Sequence, residues 1–120
     1  MKPDTVFDRY IDNEMKLSQL IDQSEKAKIL LEATKELIKG SVQSSDLAIF
    51  VEADEGYNKL VQEIVKTEAE KQELTHEIFR FFDEHKEVEE VIVPLGSRLI
   101  IITILGSEVQ YFSLEAPNEN

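Results

Sequence analysis

Apolar residues recur at helical spacing through the first part of the chain: Phe7, Tyr10, Ile11, Leu17, Leu20, Ile21, Leu31, Leu37 and Ile38. Side chains three and four positions apart share one face of an α-helix, so this pattern predicts a helix over about 4–39. Asp4 offers an N-cap, Asp12–Lys16 and Asp22–Lys26 are i,i+4 ion pairs in the favourable order, and Gly40 supplies the stop. A second set, Tyr57, Leu60, Val61, Ile64, Val65, Leu74, Ile78, Phe79, Phe81 and Phe82, predicts another helix over about 55–86 with Asp54 as its cap. Between them, Ser44-Ser45-Asp46 precedes the short apolar run 47–51, whose length suits either a helical turn or a short strand. Residues 45–51 are read as a connecting segment, because Gly56 costs an uninterrupted helix about 1 kcal/mol relative to Ala.

After Lys86 the apolar period changes from 3.6 to 2. The runs 88–95, 98–105 and 109–114 are rich in β-branched and aromatic residues, and Gly96-Ser97 and Gly106-Ser107 separate them. A three-stranded antiparallel meander follows, with Pro94 confining the first strand to an edge because proline cannot donate to a ladder. The predicted class is therefore α+β: a long antiparallel two-helix hairpin spanning 4–86, then a β-meander over 88–115, in one domain of residues 1–115. The tail 116–120 reads as disordered.

Two windows, 22–28 and 66–73, contain alanine as their only apolar residue type. Placing them opposite one another sets a trial register in which Leu20 lies by Ile78, Arg9 by Glu84 and Lys16 by Glu77. Glu63, Glu70, Glu77 and Glu84 then form a heptad-spaced acidic row along the second helix.

The run from Leu99 to Leu105 breaks the alternation expected of a sheet with one wet side. Ile100, Ile102 and Ile104 point one way, and Leu99, Ile101 and Leu105 point the other. One face can pack on the hairpin. The other needs a cover, since exposing three large aliphatic side chains forfeits roughly 1.5–3 kcal/mol each. The cover is either a segment of the same chain or a second molecule. The helices carry more apolar residues than one seam can bury, Val61 and Val65 among them, which favours a second copy and predicts a homodimer. Leu99, Ile100, Ile101, Ile102 and Ile104, with Val61 and Val65, are the candidate interface residues.

Charge and composition narrow the function. Of the 120 residues, 25 are acidic and 13 basic, for a net charge of −12, and there is no cysteine. Residues 52–90 alone hold 5 basic and 13 acidic side chains. Such a surface opposes nucleic acid and anionic membranes, which require Lys and Arg to displace counterions, and suits a basic protein partner. Lack of cysteine removes disulfides and thiolate chemistry and points to a reducing, cytoplasmic location. The first residues lack the apolar core of a signal peptide, and no apolar run approaches the roughly 20 residues needed to span a bilayer.

Candidate chemistry is sparse. His76-Glu77 opens like a metalloprotease motif, but the second histidine would fall at Arg80, and His85 lies on a different helical face. Glu52, Asp54, Glu55 and Asn58 lack the ligand order of a calcium loop. The four glycines are isolated, so there is no phosphate-binding loop. No catalytic residue, cofactor or metal site is therefore expected. The sequence points to a non-catalytic interaction or assembly module, such as an adaptor, chaperone cofactor or regulatory subunit. The rival reading is a small acidic inhibitor, of the kind phages encode, that mimics nucleic acid in a basic groove. A heptad row places carboxylates about 10.5 Å apart, a wider repeat than that of phosphates along one strand.

Overall fold

The computed structural model describes residues 4–40 and 43–115, with side chains from Val6 onward. The expected Asp4 cap involves a side chain outside those described, and the expected disorder of 116–120 falls outside the described residues. Helix α1 spans Asp4–Lys39 and helix α2 spans Ser44–Glu84, followed by strands β1 (Glu90–Leu95), β2 (Arg98–Leu105) and β3 (Glu108–Glu115). The architecture is the α+β hairpin and meander that the periodicities predict.

One boundary differs from expectation. The segment 45–51 is not a separate connector: it forms the opening turns of α2, with Asp46 in the acidic first turn and the Leu47 N–H donating to the Gln43 carbonyl at 3.3 Å. Gly56 therefore lies inside a helix. The cost of one glycine is small beside the burial it would interrupt, since Phe50, Ala53, Tyr57, Leu60 and Ile64 form a partly buried stripe at alternating spacings of three and four.

The residues group into two compact units. One comprises Glu14–Ala69 and the other comprises Met1–Asn13 with Glu70–Asn120. In the Glu14–Ala69 unit, α1 contributes the stripe Leu17, Leu20, Ser24, Ala27, Leu31, Thr34 and Ile38, all buried or partly buried. Its hydroxyls are satisfied by their own helices. Ser24 Oγ donates to the Ile21 carbonyl, Thr34 Oγ1 to the Leu31 carbonyl and Thr67 Oγ1 to the Glu63 carbonyl, at 2.7–2.8 Å. Small hydroxyl side chains can thus occupy a buried helical seam without an orphaned polar group. That is why the windows 22–28 and 66–73 look polar in sequence while still contributing seam positions.

The turn ahead of Ser44 also changes the helix register. Lys16 meets Glu63 at 4.0 Å in one unit, and Arg9 meets Glu77 at 2.9 Å in the other. Compared with the trial register, Arg9 is displaced by one heptad and Lys16 by two. The trial register matched the windows 22–28 and 66–73, and the Lys16–Glu63 contact shows that these windows do not lie opposite one another.

The main core lies in the unit that contains the sheet. Phe7, Tyr10 and Ile11 of α1, Leu74 and Ile78 of α2, and Val93, Ile100 and Ile102 of the sheet form one buried cluster. Phe7 sits edge-on to Phe81 and Phe82, with ring centroids 5.1 and 5.9 Å away. His85 ends α2: it stacks on Phe81 at 4.4 Å, and its Nδ1 lies 2.9 Å from the Phe81 carbonyl oxygen. The sheet order is β1-β2-β3, antiparallel throughout. Each hairpin turns through two residues, with Gly96 at φ 60° and Gly106 at φ 65°, and among the described residues no non-glycine has positive φ. A glycine at the first turn position followed by an ordinary residue is the type II′ pattern, whose twist matches that of paired strands.

Two substitutions test this account. Ile102 is fully buried, so Ile102→Ala is expected to cost about 2–5 kcal/mol in urea denaturation. A Cβ added at Gly56 meets nothing within 4 Å, so Gly56→Ala is expected to stabilise the chain by about 0.5–1 kcal/mol at matched protein concentration. A destabilising Gly56→Ala would contradict a helix continuous through that position.

Candidate interaction surfaces

Strand pairing sorts the sheet side chains into two faces. On the inner face, Val91 lies across from Ile102, which lies across from Tyr111, and Val93, Ile100 and Ser113 form the next row. Ile100 and Ile102 are therefore committed to the core. Ile104 is partly buried and lines an open cavity of about 470 Å³ with Phe79, Phe82 and Thr103.

The outer face carries a different set. Ile92, Ile101 and Phe112 form one row across three strands, and Pro94, Leu99 and Leu114 form the next. Ile92 is 51% exposed, Phe112 50% and Leu114 52%, while Leu99 and Ile101 on the central strand are partly exposed. Among the described residues of the sheet-containing unit, these side chains are left accessible. Sequence inspection identified Leu99 and Ile101 but missed Ile92, Phe112 and Leu114, which taken singly are the ordinary apolar residues of alternating strands. Only the pairing register shows that they adjoin one another.

Strand β3 is unusual along its length. From Tyr111 to Glu115 every residue is exposed, on both sides of the pleat. Tyr111 retains 44% exposure despite its edge-on contact with Tyr10 at 6.2 Å. Arg98 ties β3 to β2 through hydrogen bonds to the Ser113 hydroxyl and carbonyl.

The acidic row is partly occupied within the chain. Glu77 pairs with Arg9 and Glu63 with Lys16, whereas Glu70 and Glu84 make no ion pair among the described residues. These pairs involve half-exposed side chains, and solvent screening keeps each one weak. In the Glu14–Ala69 unit, Val61 is 37% exposed and Val65 62%. Elsewhere in that unit, Ala27, Leu30, Ile49, Ala53 and Gly56 line an apolar groove of about 410 Å³ with Glu52 at its side.

His76 is exposed on α2, and Asn58 Nδ2 donates to Asp54 Oδ2 at 3.4 Å, a local contact within one helix. Among the described residues, no three His, Cys, Asp or Glu side chains are grouped to hold a metal ion, and no helix is long and apolar enough to cross a membrane. No protein-family model, curated protein or solved structure matches this chain.

The half-exposed Arg9–Glu77 pair yields a quantitative expectation. Glu77→Gln should lower stability by about 0.2–1 kcal/mol at low ionic strength, and the loss should shrink in 1 M salt. Urea midpoints measured at both salt concentrations check it, and a loss of several kcal/mol would mean that the pair is more deeply buried than its geometry indicates.

Proposed function

We propose that this protein is a non-catalytic assembly module that forms a homodimer through the outer side of its sheet and presents acidic helices to a basic protein partner. The observation that carries the proposal is the adjoining set Ile92, Ile101, Phe112, Pro94, Leu99 and Leu114, apolar and accessible among the described residues. Large contiguous apolar patches are uncommon on monomers and mark interaction sites when they occur. The open carboxylates Glu70 and Glu84, within a chain of net charge −12, support a basic partner for the helices, because complementary charge accelerates encounter and suppresses wrong pairings. An adaptor, a chaperone cofactor or a regulatory subunit would use such a surface in this way.

Light scattering coupled to gel filtration is expected to give about twice the chain mass of 13.8 kDa at micromolar concentration. Two like-charged copies repel one another while their apolar surfaces attract, so added salt is expected to strengthen the dimer. Ile92→Glu should halve the mass while the helical circular dichroism signal persists. A wild-type mass of 13.8 kDa across the micromolar range, in low and high salt alike, would remove self-association from the account.

A further inference from the structure

The C-terminal end of α2 breaks a rule that helices normally keep. Backbone carbonyls give that end a partial negative charge, so lysine, arginine or protonated histidine is favourable there and carboxylates are not. The last turn of α2 contains no basic residue, and it closes on Asp83 and Glu84. Helix α1 keeps the rule and ends on Lys39. Over residues 83–90 there are five carboxylates, Asp83, Glu84, Glu87, Glu89 and Glu90, against one lysine, Lys86.

This end of the helix borders the open cavity of about 470 Å³ in the sheet-containing unit. Phe79, Phe82, Val88 and Ile104 supply its apolar lining, and Asp83, Lys86 and Glu89 its charge, which sums to −1. Among the described residues, none of these three charged side chains makes an ion pair or a hydrogen bond. Phe82 is held in place from the core, edge-on to Phe7 at 5.9 Å and to Phe81 at 5.5 Å. The cavity therefore combines a fixed aromatic ring, two open carboxylates and the negative pole of a helix.

We infer that this cavity receives an arginine side chain of the basic partner, with its guanidinium against Phe79 and Phe82 and its N–H groups donating to Asp83 and Glu89. The inference rests on the basic partner proposed above and places its contact where α2 meets the sheet. Aromatic faces attract a cation, and the free carboxylates together with the helix end favour positive charge. Guanidinium is planar, weakly hydrated and able to stack on a ring while bonding two carboxylates. An ammonium is compact and strongly hydrated, and fits an apolar lining less well. An anionic ligand would meet unfavourable charge at both carboxylates and at the helix end.

The probe is a blocked tripeptide with arginine between two glycines, titrated at low ionic strength into the isotope-labelled full chain and followed by NMR. Blocked tripeptides with lysine or uncharged norleucine at the centre are the controls. Shifts are expected at Phe79, Phe82, Val88 and Ile104, with the arginine peptide binding about threefold or more tighter than the lysine peptide. Asp83→Asn combined with Glu89→Gln should weaken binding about fivefold or more. Lys86→Gln removes the competing charge and should strengthen binding about twofold. All three side chains are exposed, so the variants are expected to fold. Asp83→Asn alone should raise the urea midpoint of the unbound chain, because it relieves the clash with the helix dipole; a lowered midpoint would mean that Asp83 serves the fold and would overturn its role in binding. Equal binding of the lysine or norleucine peptide, or weaker binding by Lys86→Gln, would overturn arginine recognition. Shifts that track Glu63 and Glu70 and survive the double substitution would overturn the cavity and leave the basic partner standing. No shift anywhere on the chain would remove the cavity together with the reading on which it rests.

Discussion

Ile102 has no solvent-accessible surface, and much of the fold can be derived from that burial. The side chain sits at the centre of the middle strand, among Phe7 and Ile78 in a cluster supplied by both helices and the sheet. Burying a side chain of this size contributes about 1.5–3 kcal/mol. A three-stranded meander has too little apolar area to persist alone, so the sheet exists because the helix residues cover its inner face. The same cover explains why the aromatic trio Phe7, Phe81 and Phe82 occurs beside the sheet and not elsewhere along the helices.

That arrangement satisfies one face of β2 and leaves the other as the dominant unresolved surface. The central strand is aliphatic on both sides, and its outer neighbours Ile92 and Phe112 extend the apolar row to both edges of the sheet. Partners that are themselves half exposed cannot shield Leu99 and Ile101. The helices carry the opposite signature, with charged side chains engaged in weak, solvated pairs. One region favours association by excluding water, and the rest carries a charge that opposes indiscriminate aggregation. This division of roles is the one that the proposed assembly module would use.

The sheet was legible in the amino-acid sequence because two local signals agree there: short runs rich in β-branched and aromatic residues, and Gly-Ser pairs where a II′ turn requires positive φ. Helix α1 was legible for a similar reason, since Gly40 follows the last apolar position. The start of α2 was misplaced because Asp54 and Gly56 are strong local breakers, whereas the stripe from Phe50 to Ile64 that overrides them is a tertiary signal. The helix register failed because the polar windows 22–28 and 66–73 were matched as partners. Hydroxyl residues such as Thr34 and Thr67 are buried by bonding back to their own helix, a solution invisible to a count of apolar residues. For the candidate surface, the two-faced strand could be read directly, but its extent could not. Ile92, Phe112 and Leu114 join Leu99 and Ile101 only through cross-strand pairing.

The central claim is that a second molecule shields this sheet where the chain itself does not. Hydrogen–deuterium exchange of the β3 amides across a dilution series tests it most directly, with the core amides of Ile100 and Ile102 as an internal reference. Exchange in Glu108–Glu115 should be slow at high protein concentration and accelerate as dilution separates the copies, while the core amides remain slow throughout. Rapid β3 exchange that is the same at every concentration would contradict the account.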